Sequence, residues 1–208
     1  ALSGGGATSS SDGVSSADGT VTISKAGVYR LTGSLSGKVV VAAGDGDRVV
    51  LILDNAAIAS PAGPAIEATT GDDLVLSLVG SSTVTDGSYA ADAEANAAVY
   101  ADMDLTITGS GSLSVTSGAS DAITSKDDLY VASGTITATA SDDGLRGKDS
   151  LTIAGGEVAV ASGGDALKSD QDSDETKGYV AITGGSVRAV ADGDGIAAET
   201  DAIITGGS

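Results

Sequence analysis

The sequence predicts an all-β fold, a parallel β-helix or solenoid, with about 22 residues in each coil. The first observation is a repeated acidic turn, in which an Asp and a small residue precede a branched apolar residue. Asp121 and Asp143 are 22 residues apart, as are Asp143 and Asp165, whereas Asp165 and Asp194 are 29 apart, which is 22 plus a 7-residue insertion. Such a period is typical of stacked repeats, none of which can bury its apolar face alone.

The second observation is the alternation of apolar and small residues within each repeat. Leu151-Thr152-Ile153 and Val158-Ala159-Val160 flank a Gly-Gly pair, and their period of two indicates short strands joined by a turn. The third observation is composition: the chain has 31 Gly, 2 Pro and no Phe, Trp or Cys. Tight turns favour Gly, and a narrow coil interior favours small and β-branched residues.

Taken in order, the chain divides into two parts. Residues 1–18 are mostly Gly, Ser and Ala and predict a flexible N-terminal linker, whereas residues 19–208 predict a single β-helix domain. The apolar run Arg48–Asn55 predicts a strand covered on both faces. The polar stretch Asp86–Asn96 predicts a loop that bulges from one coil. The sequence stops partway through a coil, so we expect an incomplete C-terminal coil with an open β edge.

One apolar position recurs in every coil and predicts an inward-facing column. Its members are Ile66, Val99, Ile123, Leu145, Leu167 and Ile196.

Charge and missing residue types exclude several functions. With 10 Lys and Arg against 29 Asp and Glu, the net charge is −19, which disfavours nucleic acid and anionic membranes and favours cations, calcium above all. The absence of Cys and His excludes disulfides, thiolate and histidine metal sites, and Ser-His-Asp chemistry. No apolar stretch is long enough to predict a membrane span.

The stacked aspartates are the candidate metal ligands. Carboxylates on adjacent coils, about 5 Å apart, would repel each other by about 1–3 kcal/mol, so the column calls for cations. Calcium takes about six to eight oxygen ligands, and the insertion Asp170–Glu175 adds more, although its spacing does not match an EF-hand. The alternative is that each Asp caps its own turn and nearby Lys balances the charge. The candidate ligands are Asp121, Asp142, Asp143, Asp165, Asp170, Asp172, Asp174, Asp192 and Asp194.

Two cations occupy equivalent positions beside this column. Arg146 and Lys168 are 22 residues apart, so they should be surface neighbours that could bind the carboxylate of a uronate sugar. The alternative is that they neutralise the aspartates, which is the interpretation that we favour for Lys126 and Lys148. The chain has only 5 Tyr and no Trp, so binding through calcium and polar groups is favoured over aromatic stacking.

Several blocks resemble one bacterial family, the carbohydrate-binding domain proteins of cell surfaces. The blocks are Val49–Asn55 with Gly63–Ile66, Ala98–Tyr100, Asp104–Gly111, Asp142–Asp149 and Gly164–Asp170. The resemblance implies a right-handed parallel β-helix like that of pectate lyases, bound calcium, and extracellular or cell-surface binding of polysaccharide, with polygalacturonate and cellulose as candidates. The chain has Asp121-Ala122 and Asp165-Ala166 where the family more often has Asp-Gly, and a turn that needs positive φ would be strained there.

Three functional hypotheses remain at this point. The first is a noncatalytic, calcium-dependent carbohydrate-binding protein. The second is a calcium-dependent polysaccharide lyase, an enzyme in which Arg146 or Lys168 would remove a proton from the sugar. The third is a structural fibre or adhesin subunit that associates end to end through the open β edge.

Overall fold

The computed structural model describes residues 1–208, and every regular element in it is a β-strand. Because it has no helices, it has none that could cross a membrane. The strands are β1 Leu2–Gly4, β2 Gly6–Ala7, β3 Val14–Ala17, β4 Thr20–Ile23, β5 Gly27–Ser36, β6 Lys38–Ala42, β7 Arg48–Ala59, β8 Ile66–Thr70, β9 Asp73–Val79, β10 Ser81–Thr85, β11 Ala97–Ala101, β12 Asp104–Gly109, β13 Ser112–Ser117, β14 Asp121–Ser125, β15 Asp128–Val131, β16 Thr135–Ala140, β17 Leu145–Gly147, β18 Ser150–Ile153, β19 Glu157–Ser162, β20 Leu167–Ser169, β21 Tyr179–Ile182, β22 Ser186–Ala191, β23 Ile196–Ala198 and β24 Ala202–Ile204.

The strands form two long, mostly parallel sheets. A fifteen-stranded sheet runs β22-β19-β16-β13-β10-β7-β9-β12-β15-β18-β21-β24, and β1, β2 and β5 join it beside β7. A nine-stranded sheet runs β23-β20-β17-β14-β11-β8-β6-β4-β3. Strands that neighbour each other in space are distant in sequence, which is the arrangement expected of a repeating coil. The all-β class and the parallel pairing predicted from the sequence are confirmed.

The register of the nine-stranded sheet follows the sequence period. Ile123 pairs with Leu145 and Leu145 with Leu167, each 22 positions on, whereas Leu167 pairs with Ile196 across the insertion. The predicted apolar column is therefore confirmed, and its upper end continues through Val99 to Ile66. Register is set this way because a slip of one residue would turn the whole apolar set toward water.

The core lies between the two sheets and forms one cluster of 44 buried residues. Strands contribute to it by alternation, as in β13, where Leu113 and Val115 are buried. The prediction that Arg48–Asn55 is covered on both faces is wrong, because Val50 and Ile52 on β7 remain partly exposed on the outer side. An apolar run alone does not distinguish a strand buried on both faces from one with an apolar outer surface.

Residues 1–18 differ from the flexible linker that the sequence predicts. Strand β1 pairs in parallel with β5, with Leu2 only 5% exposed, and β3 pairs antiparallel with β4. The two-residue turn between β3 and β4 is Asp18-Gly19, whose φ values are 49° and 78°. Asp-Gly is a strong signal for a tight β-hairpin, and here it outweighs the polar composition of the segment.

Two kinds of turn recur, and only one of them needs a residue with positive φ. In the Gly-Gly turns the second glycine has positive φ, 86° at Gly156 and 81° at Gly185. In the acidic turns neither Ala122 nor Ala166 has positive φ. The strain expected at these two alanines is therefore absent, because the acidic turn uses a backbone conformation that any residue adopts.

The far edge of the sheets consists of the last strands of the chain. Strands β22, β23 and β24 each have a neighbour on one side only, and Ile204 on β24 is 64% exposed. End-to-end association through this edge stays a prediction.

We predict that Gly156 and Gly195, one from each kind of turn, respond differently to a methyl group. At Gly156 an added Cβ would lie 2.5 Å from the backbone oxygen of Gly134, at a positive φ, so Gly156→Ala should lower the free energy of unfolding by about 1–3 kcal/mol. At Gly195, in an acidic turn, a Cβ would meet nothing within 4 Å, and Gly195→Ala should change it by less than about 0.5 kcal/mol. Urea unfolding of both variants measures the difference, and equal losses would contradict the assignment of the turns.

Candidate functional site

A chain of hydrogen bonds links the acidic turns of successive repeats. Oδ1 of Asp121 accepts the backbone N–H of Asp143 at 3.1 Å, Oδ1 of Asp143 accepts that of Asp165 at 2.8 Å, and Oδ1 of Asp165 accepts that of Asp194 at 2.9 Å. We call these four residues the aspartate ladder. The aspartates do hold turns, as the alternative to metal binding expects, but Oδ1 of Asp121, Asp143 and Asp165 holds the turn of the next repeat rather than its own.

Arg146 and Lys168 lie beside the ladder, where their positive charges offset its negative charge. Lys168 Nζ is 2.8 Å from Oδ2 of Asp143 and 3.2 Å from Oδ2 of Asp165. Arg146 Nη2 is 2.6 Å from Oδ2 of Asp170, and Nη1 is 3.9 Å from Oδ2 of Asp121. Although burial alone would lower the pKa of Lys168, hydrogen bonds and charge from the carboxylates hold it above its ordinary value. Both cations therefore neutralise aspartates.

Three carboxylates gather at one turn of the ladder. Ligand oxygens of Asp121, Asp142 and Asp143 lie within 4.8 Å of one another, and we call this group the acidic cluster. Asp121 and Asp143 are buried, whereas Asp142 is exposed. Burial raises the pKa of Asp121 to about 6, the charges of Asp143 and Asp142 add to the rise, and the hydrogen bond from Thr124 opposes it. The cluster thus combines poorly solvated carboxylates with an accessible one.

The other predicted ligands do not join this cluster. Asp165 is held by the ladder, and the hydrogen bond from the Asp194 backbone is the largest cause that lowers its pKa. Asp170 is paired with Arg146. Asp174 accepts hydrogen bonds from the backbone and hydroxyl of Thr176 within its own loop. The remaining candidates, Asp172, Asp192 and Asp194, are exposed and belong to no group of three metal-ligating residues.

Some contacts of the site involve residues that the repeat does not point to. Asn96, at the end of the loop before β11, donates from Nδ2 to Oδ2 of Asp121 at 2.9 Å, and the Thr124 hydroxyl donates to the same oxygen at 2.9 Å. Only the three-residue spacing of Asp121 and Thr124 could have signalled the second contact. Lys126 and Lys148, predicted to neutralise aspartates, form no ion pair within 4.0 Å.

The outward-facing side of the nine-stranded sheet carries one row of polar side chains, of which Tyr100 and Thr124 are buried and the others are partly exposed. Strand register places them side by side in the order Glu67, Tyr100, Thr124, Arg146 and Lys168, and we call them the outer row. The row runs from an acidic end to a basic end.

Comparison with known proteins identifies several that are similar to this chain. The model of a family described as carbohydrate-binding domain-containing protein matches residues 17–208. A protein of that description from Acetivibrio thermocellus is 32% identical over 137 residues, 62% of this chain and 48% of the relative. The chain thus spans about half the length of this curated relative. A solved polysaccharide lyase-like protein from C. thermocellum, a gadolinium derivative, superposes with a TM-score of 0.88 at 27% identity, over 96% of this chain and 94% of the other.

We predict that the ladder contributes to stability independently of cations. Asp143→Ala removes the acceptor of the Asp165 N–H and a partner of Lys168, and should lower the free energy of unfolding by about 1–3 kcal/mol. Asp142→Ala is the matched control, because Asp142 is the exposed neighbour and should change stability by less than about 0.5 kcal/mol. Denaturant unfolding in excess chelator gives both values. Loss of equal stability in the two variants would remove the ladder as a structural contact.

Proposed function

Because the chain belongs to the family of carbohydrate-binding domain-containing proteins, we propose that it is a noncatalytic, calcium-dependent polysaccharide-binding protein of the extracellular space or cell surface. The proposed scaffold is a closed, right-handed parallel β-helix with about 22 residues per coil, supported by strand partners 22 positions apart. The acidic cluster is the single observation that carries the dependence on calcium.

The donor chemistry of the acidic cluster fits a calcium ion. Asp121, Asp142 and Asp143 supply carboxylate oxygens, the ligands that calcium prefers, and they converge within 4.8 Å. Burial raises the pKa of Asp121 most, and the charges of Asp143 and Asp142 add to the rise, so a cation would stabilise the charged form of this carboxylate. A similar protein was solved as a gadolinium derivative, and gadolinium is also a hard cation that takes oxygen ligands. When bound, calcium would supply positive charge at which an acidic sugar can be held.

Acidic polysaccharide, of which polygalacturonate is the example, is the proposed ligand. A chain with a net charge of −19 repels a polyanion unless a cation lies between them. The basic side chains nearest the cluster, Arg146 and Lys168, already have carboxylate partners, so a uronate would compete for them with Asp170 and Asp143. Calcium bridging avoids this competition. Cellulose remains a second candidate ligand.

Lyase activity is the second candidate function, and the polysaccharide lyase-like relative is the observation that favours it. A proton-abstracting base has to give up its own proton, and ion pairing opposes this by stabilising the protonated form. Lys168 has two carboxylates within 3.2 Å, and Arg146 has one at 2.6 Å. These contacts favour binding without chemistry.

The proposal is tested by retention of the purified protein on a polygalacturonate gel. We expect retention in calcium and release in excess chelator. The same protein incubated with soluble polygalacturonate in calcium should produce no rise in the ultraviolet absorbance of unsaturated sugars. Retention that chelator does not change would overturn the dependence on calcium. A rise in absorbance would show lyase activity and overturn the noncatalytic proposal.

We predict that Asp142 matters for calcium but not for folding. Asp142→Asn removes a charged ligand from the acidic cluster without breaking a ladder hydrogen bond, and should weaken calcium binding roughly tenfold or more. Asp172→Asn is the control of equal charge change, because Asp172 is exposed in the insertion and outside the cluster. Titration calorimetry with calcium on both variants measures the effect. Equal affinities for the two would place the calcium elsewhere.

A further inference from the structure

A pocket separate from the acidic cluster opens on the outer side of the nine-stranded sheet, beside the loop that joins β10 to β11. Its volume is about 270 Å³, close to the lower end of the range for small-molecule pockets, which begins at about 300 Å³. We call it the tyrosine pocket, and its lining residues are Glu67, Thr69, Glu94, Ala95, Tyr100 and Asp102. It shares no residue with the acidic cluster.

The hydroxyl of Tyr100 has no hydrogen-bond partner within the protein. Tyr100 is 3% exposed, and its Oη is buried without a donor or acceptor in reach. Leaving a buried polar group unpaired costs about 1–3 kcal/mol, and proteins pair the large majority of such groups. An unpaired hydroxyl that lines a pocket marks a position where a ligand atom supplies the missing partner.

The charges around the pocket limit the kinds of ligand that it can bind. Burial, followed by the charges of Asp102, Glu94 and Glu67, raises the pKa of Tyr100 to about 12, so the hydroxyl keeps its proton and can donate. Three carboxylates repel an anionic sugar. They are also unsuited to a metal ion, because they do not converge within 4.8 Å as the acidic cluster does, and Lys38 already lies 2.7 Å from Glu67.

Hydroxyl groups satisfy these requirements. A carboxylate accepts hydrogen bonds, and a tyrosine hydroxyl donates one and accepts others, so a ring that carries several hydroxyls complements both. We propose that the tyrosine pocket is a subsite for one uncharged sugar ring, which accepts a hydrogen bond from Tyr100 and donates to Glu67 and Asp102. This inference rests on the proposed function, because it adds a subsite to the same polysaccharide-binding surface.

The position of the pocket agrees with a glycan chain that lies along the outer row. Tyr100 is two strands from Arg146, with Thr124 between them. Neighbouring strands are about 4.8 Å apart, so the backbone at Tyr100 lies about 10 Å from that at Arg146. One polysaccharide chain is long enough to span that distance.

The test is Tyr100→Phe, which removes the unpaired oxygen and leaves the ring. Because the hydroxyl has no partner within the protein, its removal should leave the melting temperature unchanged or raise it, so the variant stays folded for the binding measurement. If the hydroxyl binds sugar, the affinity for cellohexaose, measured by titration calorimetry in calcium, should fall about 3- to 10-fold. Tyr130→Phe is the matched control, because Tyr130 is 42% exposed on the other sheet, and it should bind as the wild type does.

The outcomes separate this inference from the proposed function. Wild-type cellohexaose affinity in Tyr100→Phe means that water alone fills the pocket, and it overturns the subsite, as does absence of cellohexaose binding by the unaltered protein. Either result leaves calcium-dependent retention on polygalacturonate standing. A different result would overturn the calcium proposal and support the pocket. In that case the unaltered protein shows no calcium-dependent retention on polygalacturonate but binds cellohexaose, and Tyr100→Phe weakens the cellohexaose binding.

Discussion

The hydrogen bond that Asp121, Asp143 and Asp165 each accept from the backbone N–H of the next ladder residue is the contact on which the other features of this surface depend. It joins the acidic turns of successive repeats, alongside backbone hydrogen bonds such as the one from the N–H of Gly144 to the carbonyl of Asp165. The same contact stacks negative charge in one column, and that column needs compensation. Arg146 and Lys168 provide part of it. In our proposal, a cation at the acidic cluster would provide the rest.

Charge on the outer surface is graded rather than uniform, which gives a long polymer more than one kind of contact. The basic members of the outer row already have carboxylate partners, Asp170 for Arg146 and the ladder residue Asp143 for Lys168. The acidic end instead surrounds the unpaired hydroxyl of Tyr100. Under the two proposals, an acidic sugar unit and an uncharged one would have different partners along the same row.

The sequence predicted the parts of this structure that repeat. The spacing of Ile123, Leu145 and Leu167 gave the strand register, because each residue has to face the core. The spacing of the aspartates also indicated that they stack on successive repeats, although not that each carboxylate accepts a hydrogen bond from the backbone of the next aspartate. What does not repeat escaped prediction. Asn96 reaches Asp121 from an irregular loop, and Asp170 reaches Arg146 from the insertion, and no periodicity fixes either path. The Asp18-Gly19 hairpin was readable, but polar composition obscured it.

The most direct test of the central claim, that the ladder assembles a cation site, is anomalous diffraction from crystals soaked with terbium as a probe for calcium. Our account predicts a strong peak bounded by the carboxylates of Asp121, Asp142 and Asp143, with the ladder hydrogen bonds intact beside it. A crystal in which the ion binds instead in the Asp170–Glu175 insertion, with no peak among those three carboxylates, would contradict it.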